Sequence, residues 1–224
     1  MNSVIETISY GISSFAYLRR ARARLNEGTP QALFYAAFEL RAGTESRLQD
    51  YLDARDDVAK HKKQGWKIIG SAKELDRRIG LGDKIVEARF LDESGNIRMA
   101  VYYTPITARL REAAGARLHD LTHAMKKAFP DDDRWWNGTR TFLEQIYSDL
   151  EFANKGTLLG PILLSPDRKH FHMSLSIPND SPIADRISEI GQVGRDSTIG
   201  IIPAAFPPQP HVIQSQLSLR HGNQ

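Results

Sequence analysis

The residues best suited to chemistry lie in one short run, Arg117-Leu118-His119-Asp120-Leu121-Thr122-His123. Arginine holds planar anions with paired N–H groups, and histidine exchanges protons near neutral pH. On a helix at 100° per residue, the inward stripe of this run centres near Leu118 and Leu121. His123 then points away from the core, His119 lies on the same outer side, and Arg117 sits on the flank. Three readings follow. Two imidazoles four residues apart can share a divalent ion, with Asp120 between them, although no third ligand is evident in the sequence. Arg117 and His123 can act as a pair, the guanidinium on phosphate oxygens and the imidazole on a hydroxyl proton. Or the run is a solvated helix face that carries two histidines.

Other polar sets are candidates for binding. Glu39, Arg41, Glu45 and Arg47 fall within nine residues. Arg41 and Glu45, four apart, can pair along a helix for about 0.2–0.5 kcal/mol. Such a pair is costly if partly buried unless satisfied, so it reads either as a site or as an ordinary salt bridge. Arg168, His170 and His172 form a third set. Alternation places both imidazoles on one side of a strand, where they could contact phosphate, bind a metal or simply face solvent. Trp135-Trp136 is read as an aromatic patch closing one end of the helical body. Gly80-Leu81-Gly82 lacks the strand-before, helix-after setting of a dinucleotide loop, and no GxxxxGK[ST] or GxSxG run occurs. No cofactor and no metal site is expected.

Composition narrows the class. With no cysteine among 224 residues, a disulfide framework, a thiolate zinc site and a cysteine nucleophile are all excluded. A charged share of 25% and a hydrophobic share of 41% describe an ordinary globule, long enough to bury a core unaided. No apolar run reaches the length that crosses a bilayer. The opening MNSVIETISY has neither a basic segment nor an apolar one, so a cytoplasmic location is expected. Net charge is only +3, too little to imply nucleic-acid binding by itself. The charge is uneven, however: Lys60 to Lys84 carries eight basic against three acidic residues. A second basic group, Arg19 to Arg24, falls at the end of the first helix, where the dipole favours it.

The elements that would position these residues follow from periodicity. Val4, Ile8, Ile12, Phe15, Leu18 and Leu25 predict a first helix over 4–25, ended by Gly28. Thr29-Pro30 starts a second, whose broad apolar face runs from Ala32 to Leu52 and on toward Lys63. Residues 65–82 are a basic, glycine-punctuated connection of unassigned structure. Lys84–Leu91 and Ile97–Tyr103 alternate around a glycine-bearing loop and predict a β-hairpin. A third helix is expected from Thr107 to Phe129, stopped by Pro130, and a fourth from about Thr139 to Asn154. Residues 158–164 and 169–177 read as a second hairpin. The resulting expectation is an α+β protein: a four-helix bundle over 1–178 with the first hairpin inserted near 84–103 and a second C-terminal hairpin. Residues 179–224 are expected as an extended, proline-containing tail.

The run from Ala32 to Leu48 resembles the second helix of bacterial HEPN-type helical-bundle proteins. The stretch from Arg117 to Lys127 is similar to the helix in which that superfamily carries an Arg-x4–6-His motif. The resemblance spans the four helices, about half the chain, and excludes the hairpins and the tail. It implies a metal-independent ribonuclease of a toxin or defence system, working as a homodimer with the motif at the interface and RNA as partner. Arg117, His123 and His119 are then the candidate catalytic residues, and Arg41, Glu45, Arg168, His170 and His172 the candidate binding residues. Leu118 stands where the family has a polar residue after the arginine. A non-catalytic interaction module built on the same helices is the alternative.

Overall fold

Side-chain caps set the first two helices. In the computed structural model, which describes residues 10–63, 67–79, 81–91, 94–95, 97–123, 129–130, 132–160, 163–164, 171–175, 198–205 and 215–217, α1 spans Ser14–Glu27 and α2 spans Pro30–Asp53. Ser13 Oγ accepts from the Ala16 N–H at 3.2 Å, and Thr29 Oγ1 accepts from the Ala32 N–H at 3.2 Å. Gly28 closes α1 at φ +67°, a left-handed position that glycine adopts without strain. The first helix therefore starts later than its apolar spacing predicts: Ser13 is extended and caps it, and Val4 and Ile8 lie outside the described residues.

Around α2 the other helices gather. It packs against α1 and against the α-helices that follow it, burying Leu33, Ala36, Ala37, Leu40, Leu48, Tyr51 and Leu52. Gly43 leaves room for two of these neighbours. A Cβ there would lie 2.8 Å from Leu150 Cδ2 and 3.1 Å from Tyr17 Cβ. The helix stops at Asp53 rather than running toward Lys63, and a 3-10 turn at Lys60–Lys62 follows. Continuing through Asp56 and Asp57 would have added carboxylates to the negative end of the dipole.

The connection expected over 65–82 contains α3, Ile68–Ile79, which buries Ile68, Ala72 and Leu75. The first hairpin has the predicted bounds, with β1 at Lys84–Leu91 and β2 at Ile97–Tyr103. Val86 pairs Tyr103 and Ala88 pairs Val101, and all four are buried on the face toward the helices.

The expected third helix is two helices. Asp83 Oδ1 accepts from the Ala108 N–H at 2.9 Å where α4 (Ala108–Gly115) begins. The chain then turns at Ala116 (φ −121°, ψ −91°), and α5 runs over Arg117–Thr122. The break coincides with Gly115, a poor helix former whose bare Cα admits α3: a Cβ there would meet Ile69 Cδ1 at 2.8 Å. Residues 124–128 lie outside the described residues. The fourth helix, α6, is longer than predicted, Asp133–Lys155, because Asp132 caps it by accepting from the Arg134 N–H at 2.9 Å. This brings Trp135 and Trp136 inside α6, where with Phe34 and Phe129 they form a ring cluster at one end of the molecule.

At its other end, α6 is held from within. Arg47 is wholly buried on α2 and donates Nε to the Ala153 carbonyl at 3.1 Å and Nη2 to the Gly156 carbonyl at 2.5 Å. Tyr51 donates to the Thr104 carbonyl, and Thr104 Oγ1 both donates to Ala153 O at 2.9 Å and accepts from the Gly156 N–H at 3.0 Å. The exposed carbonyls of a helix C-terminus need donors when buried, and these residues supply them.

Among the described residues, the second hairpin is represented by β3 (Leu163–Leu164) and β4 (Phe171–His172), with a bridge between Leu158 and Leu175. From the expected tail, Thr198–Ala205 (β5) pairs with the free side of β1, and Ser215–Leu217 (β6) pairs with β5. The sheet order is β2-β1-β5-β6, so β1 is an interior strand of four rather than half of a ribbon. The class is α+β, with helices predominating, and no helix among the described residues is long and apolar enough to cross a membrane.

Candidate functional site

The turn at Ala116 determines which neighbour each side chain of α5 meets. Leu118 and Leu121 are buried against α2, while His119 and His123 stay exposed on the outer side, as the helical spacing predicts. The guanidinium of Arg41 from α2 reaches both imidazoles. Its Nη1 is 2.6 Å from His119 Nδ1, 3.3 Å from Thr122 Oγ1 and 3.4 Å from His123 Nε2. Its Nε donates to Glu45 Oε1 at 3.0 Å, the pairing along the helix that the sequence allows.

Arginine has no acceptor, so a ring nitrogen that takes a hydrogen bond from Nη1 is a bare one, as at the close contact with His119 Nδ1. The ring centroids are 4.0 Å apart, tilted by 45°. Thr122 Oγ1 donates back to the Leu118 carbonyl at 3.0 Å and holds the last turn of α5 in place. Glu45 balances the charge of Arg41 on the side away from the imidazoles. The cluster thus combines a fixed cation with two proton-exchanging groups on an exposed surface, equipment suited to an anionic substrate.

Arg117 is not part of it. Its guanidinium lies 4.2 Å over the Phe142 ring, with Nη2 3.5 Å from Thr139 Oγ1, so it faces α6. Six helical residues amount to a rotation about 120° short of full turns, which turns Arg117 and His123 to different neighbours. Arg168 and His170 lie outside the described residues, and of His172 only the backbone of β4 is described. Among the described residues, no group of three histidine, aspartate or glutamate side chains is placed to hold a metal ion.

Two features beside the cluster were not singled out from sequence. Tyr35 and Phe38, about two turns and one turn before Arg41 on α2, are 60% and 51% exposed, and Arg24 lies 5.5 Å over the Tyr35 ring. On the other side opens a cleft of about 320 Å3, lined by Arg41, Lys67, Ile68, Ile69, Gly70, Ala114, Gly115 and His119. The spacing of aromatic residues along the outer side of α2 was available in the sequence; the cleft depends on α3, which was not. No family model, curated protein or solved structure matches this chain.

Proposed function

We propose that the chain is a HEPN-like ribonuclease in which α1, α2, the α4–α5 pair and α6 form the helical bundle and RNA is cleaved without a metal at Arg41, His119 and His123. The observation that carries this reading is the guanidinium of Arg41 within reach of both exposed imidazoles. Arg41 takes the phosphate role that the family resemblance would give to Arg117. Its N–H groups hold the non-bridging oxygens and stabilise the charge that builds on phosphorus. His123, held by Arg41 only at 3.4 Å, gives up that contact as the guanidinium takes the phosphate, and its Nε2 removes the 2′-hydroxyl proton as O2′ bonds to phosphorus. The P–O5′ bond breaks, and the departing oxygen takes that proton back, leaving a 2′,3′-cyclic phosphate and a 5′-hydroxyl. His119, held more closely, orients the guanidinium. The proposal includes a homodimer that pairs the exposed faces of α5, consistent with imidazoles that stay exposed among the described residues.

The test is incubation of the purified protein with a mixed RNA pool in EDTA. Wild type cleaves; His123→Ala loses about 10²-fold or more, the share typical of a positioned general base; Arg41→Gln falls comparably; Arg117→Gln retains activity. Cleavage that persists in His123→Ala, or a wild type that is inert, overturns the assignment. Exposure of Tyr35 and Phe38 favours a second reading, a non-catalytic module that docks a partner across the outer side of α2. An inert wild type whose partner or RNA binding is lost on Tyr35→Ala and Phe38→Ala supports that reading.

A further inference from the structure

The outer side of α2 carries a seam. Gln31, Tyr35, Phe38, Ala42, Glu45 and Gln49 follow one another at steps of four, three, four, three and four residues, so they fall within about 80° of arc on the helix. This is the spacing at which two helices pack along their length. None of the six is buried, while Leu40, Gly43 and Arg47 on the other side of α2 are. The seam is complementary to itself when reversed. With two copies of α2 antiparallel and crossing at the level of Leu40, Phe38 meets the partner's Ala42, Tyr35 meets the partner's Glu45 and Gln31 meets the partner's Gln49. A large ring lies against a small side chain, a phenol O–H against a carboxylate, and an amide against an amide. Parallel pairing would instead set Glu45 against the partner's Glu45, a repulsion of like charges. Glu45 Oε1 holds Arg41 Nε at 3.0 Å, and a carboxylate has acceptor sites enough to take the Tyr35 hydroxyl as well.

We propose that a second copy of this chain docks on α2, antiparallel and in this register, so that the partner's Tyr35 reaches the Glu45 that holds Arg41. The proposal rests on the homodimer reading above and deepens it by naming the face, the register and a positioning residue that comes from the other copy. A two-fold axis that lies in the interface and crosses both helices sets each flank against its own counterpart. On one flank α5 stands beside Arg41, so the two Arg41–His119–His123 clusters come to the same side of the seam. On the other flank is α1, tied to α2 where Ser46 Oγ donates to the Ile12 carbonyl at 3.1 Å. There Tyr10 and Ile12, 67% and 75% exposed, extend the apolar contact beyond the helix pair. The arginines of that flank bring little repulsion, because Arg20 is paired with Glu39 at 2.8 Å and Arg24 with Glu27 at 2.7 Å.

The chain has no cysteine, so disulfide trapping reads the register directly. Gln31 and Gln49 lie about 27 Å apart along α2, whereas a disulfide needs α-carbons within about 7 Å. The full chain with both Gln31→Cys and Gln49→Cys therefore closes no bond within itself, and after treatment with diamide it should run as a covalent dimer under denaturing, non-reducing conditions. Either substitution alone should leave a monomer there, because like positions stand as far apart across the antiparallel pair. Sedimentation equilibrium of the unmodified protein should show a dimer. Phe38→Glu, at a half-exposed position, should raise its dissociation constant about tenfold or more. Tyr35→Phe should raise it roughly threefold, the scale of one hydrogen bond, and should have no further effect in a Glu45→Ala background. A monomeric protein, a dimer that Phe38→Glu or Tyr35→Phe leaves unmoved, a double-cysteine chain that forms no covalent dimer, or a single-cysteine chain that does, each overturns the proposal. RNA cleavage by a monomer removes the α2 seam and leaves the nuclease reading standing. A trapped dimer that cleaves no RNA does the reverse.

Discussion

Replacing Arg47 by methionine measures what holds α6 to α2. The guanidinium is fully buried, and its Nη1 has no hydrogen-bond partner among the described residues, Asp50 Oδ2 lying 3.9 Å away. Removing this charge relieves a desolvation penalty, which favours the variant. Against that, the Gly156 carbonyl loses its charged donor and is left buried, at a cost of about 1–3 kcal/mol. Ala153 O keeps Thr104 as a donor, so its loss is smaller, about 1 kcal/mol. Methionine also cannot reach the end of α6, so the two helices lose a direct tie. The carbonyl losses come to about 2–4 kcal/mol, and the relieved desolvation brings the expected net loss to about 2 kcal/mol, or roughly 4–8 °C in melting temperature for a chain of this size. Urea unfolding followed by far-ultraviolet circular dichroism reads it. Arg47→Lys should lose nearly as much, because one ammonium cannot reach both carbonyls. A methionine variant as stable as wild type would refute the argument that the guanidinium caps this helix end.

Gly156→Ala should destabilise by about 1–3 kcal/mol in the same assay, since a Cβ would lie 2.7 Å from Thr104 N and 2.9 Å from Tyr102 O, both backbone atoms that cannot swing away. Thr29→Ala removes the cap of α2 and should cost about 1 kcal/mol. Burial raises the pKa of both Tyr51 and Tyr103, with the Arg47 charge opposing the shift at Tyr51 and the neighbouring Tyr51 adding to it at Tyr103. The folded state therefore keeps these phenol protons to higher pH than the unfolded chain, whose tyrosines titrate near 10. Their contribution is fully present below about pH 10 and is lost as pH rises beyond it. Unfolding free energies measured on both sides of pH 10 should show the decline, and a flat profile would count against the buried phenols.

Local signals carried much of the architecture. Thr29-Pro30 and Gly28 mark their helix boundaries because caps are made within three residues, and the first hairpin keeps its predicted bounds because alternation and a short turn act locally. The helix α3 was within reach of the same logic: Ile68, Ala72, Leu75 and Ile79 repeat at helical intervals, and Gly70 with the surrounding lysines masked the pattern. The break at Ala116 was less visible, since it depends on Ile69 pressing against Gly115 from another helix. The pairing of β5 with β1 is wholly non-local. So is the cluster: Glu45 could be matched to Arg41 from spacing, but Arg41 and His119 are separated by 78 residues, and only packing of α5 on α2 joins them. Spacing alone suggested Arg117 instead, because a sequence motif shows neighbours along the chain and not across it.

The interior position of β1 has a consequence for biosynthesis. Leu91 meets Thr198 and Lys84 meets Ala205, so one side of β1 finds its partner only after most of the polypeptide has left the ribosome. Until then the nascent protein carries an open, largely apolar strand edge beside a helical body that can already pack. Such an edge invites pairing with other copies and slows completion of the fold. Yield from expression should therefore depend on how promptly residues 198–205 are delivered, and a premature stop before them should give aggregates rather than a smaller working protein.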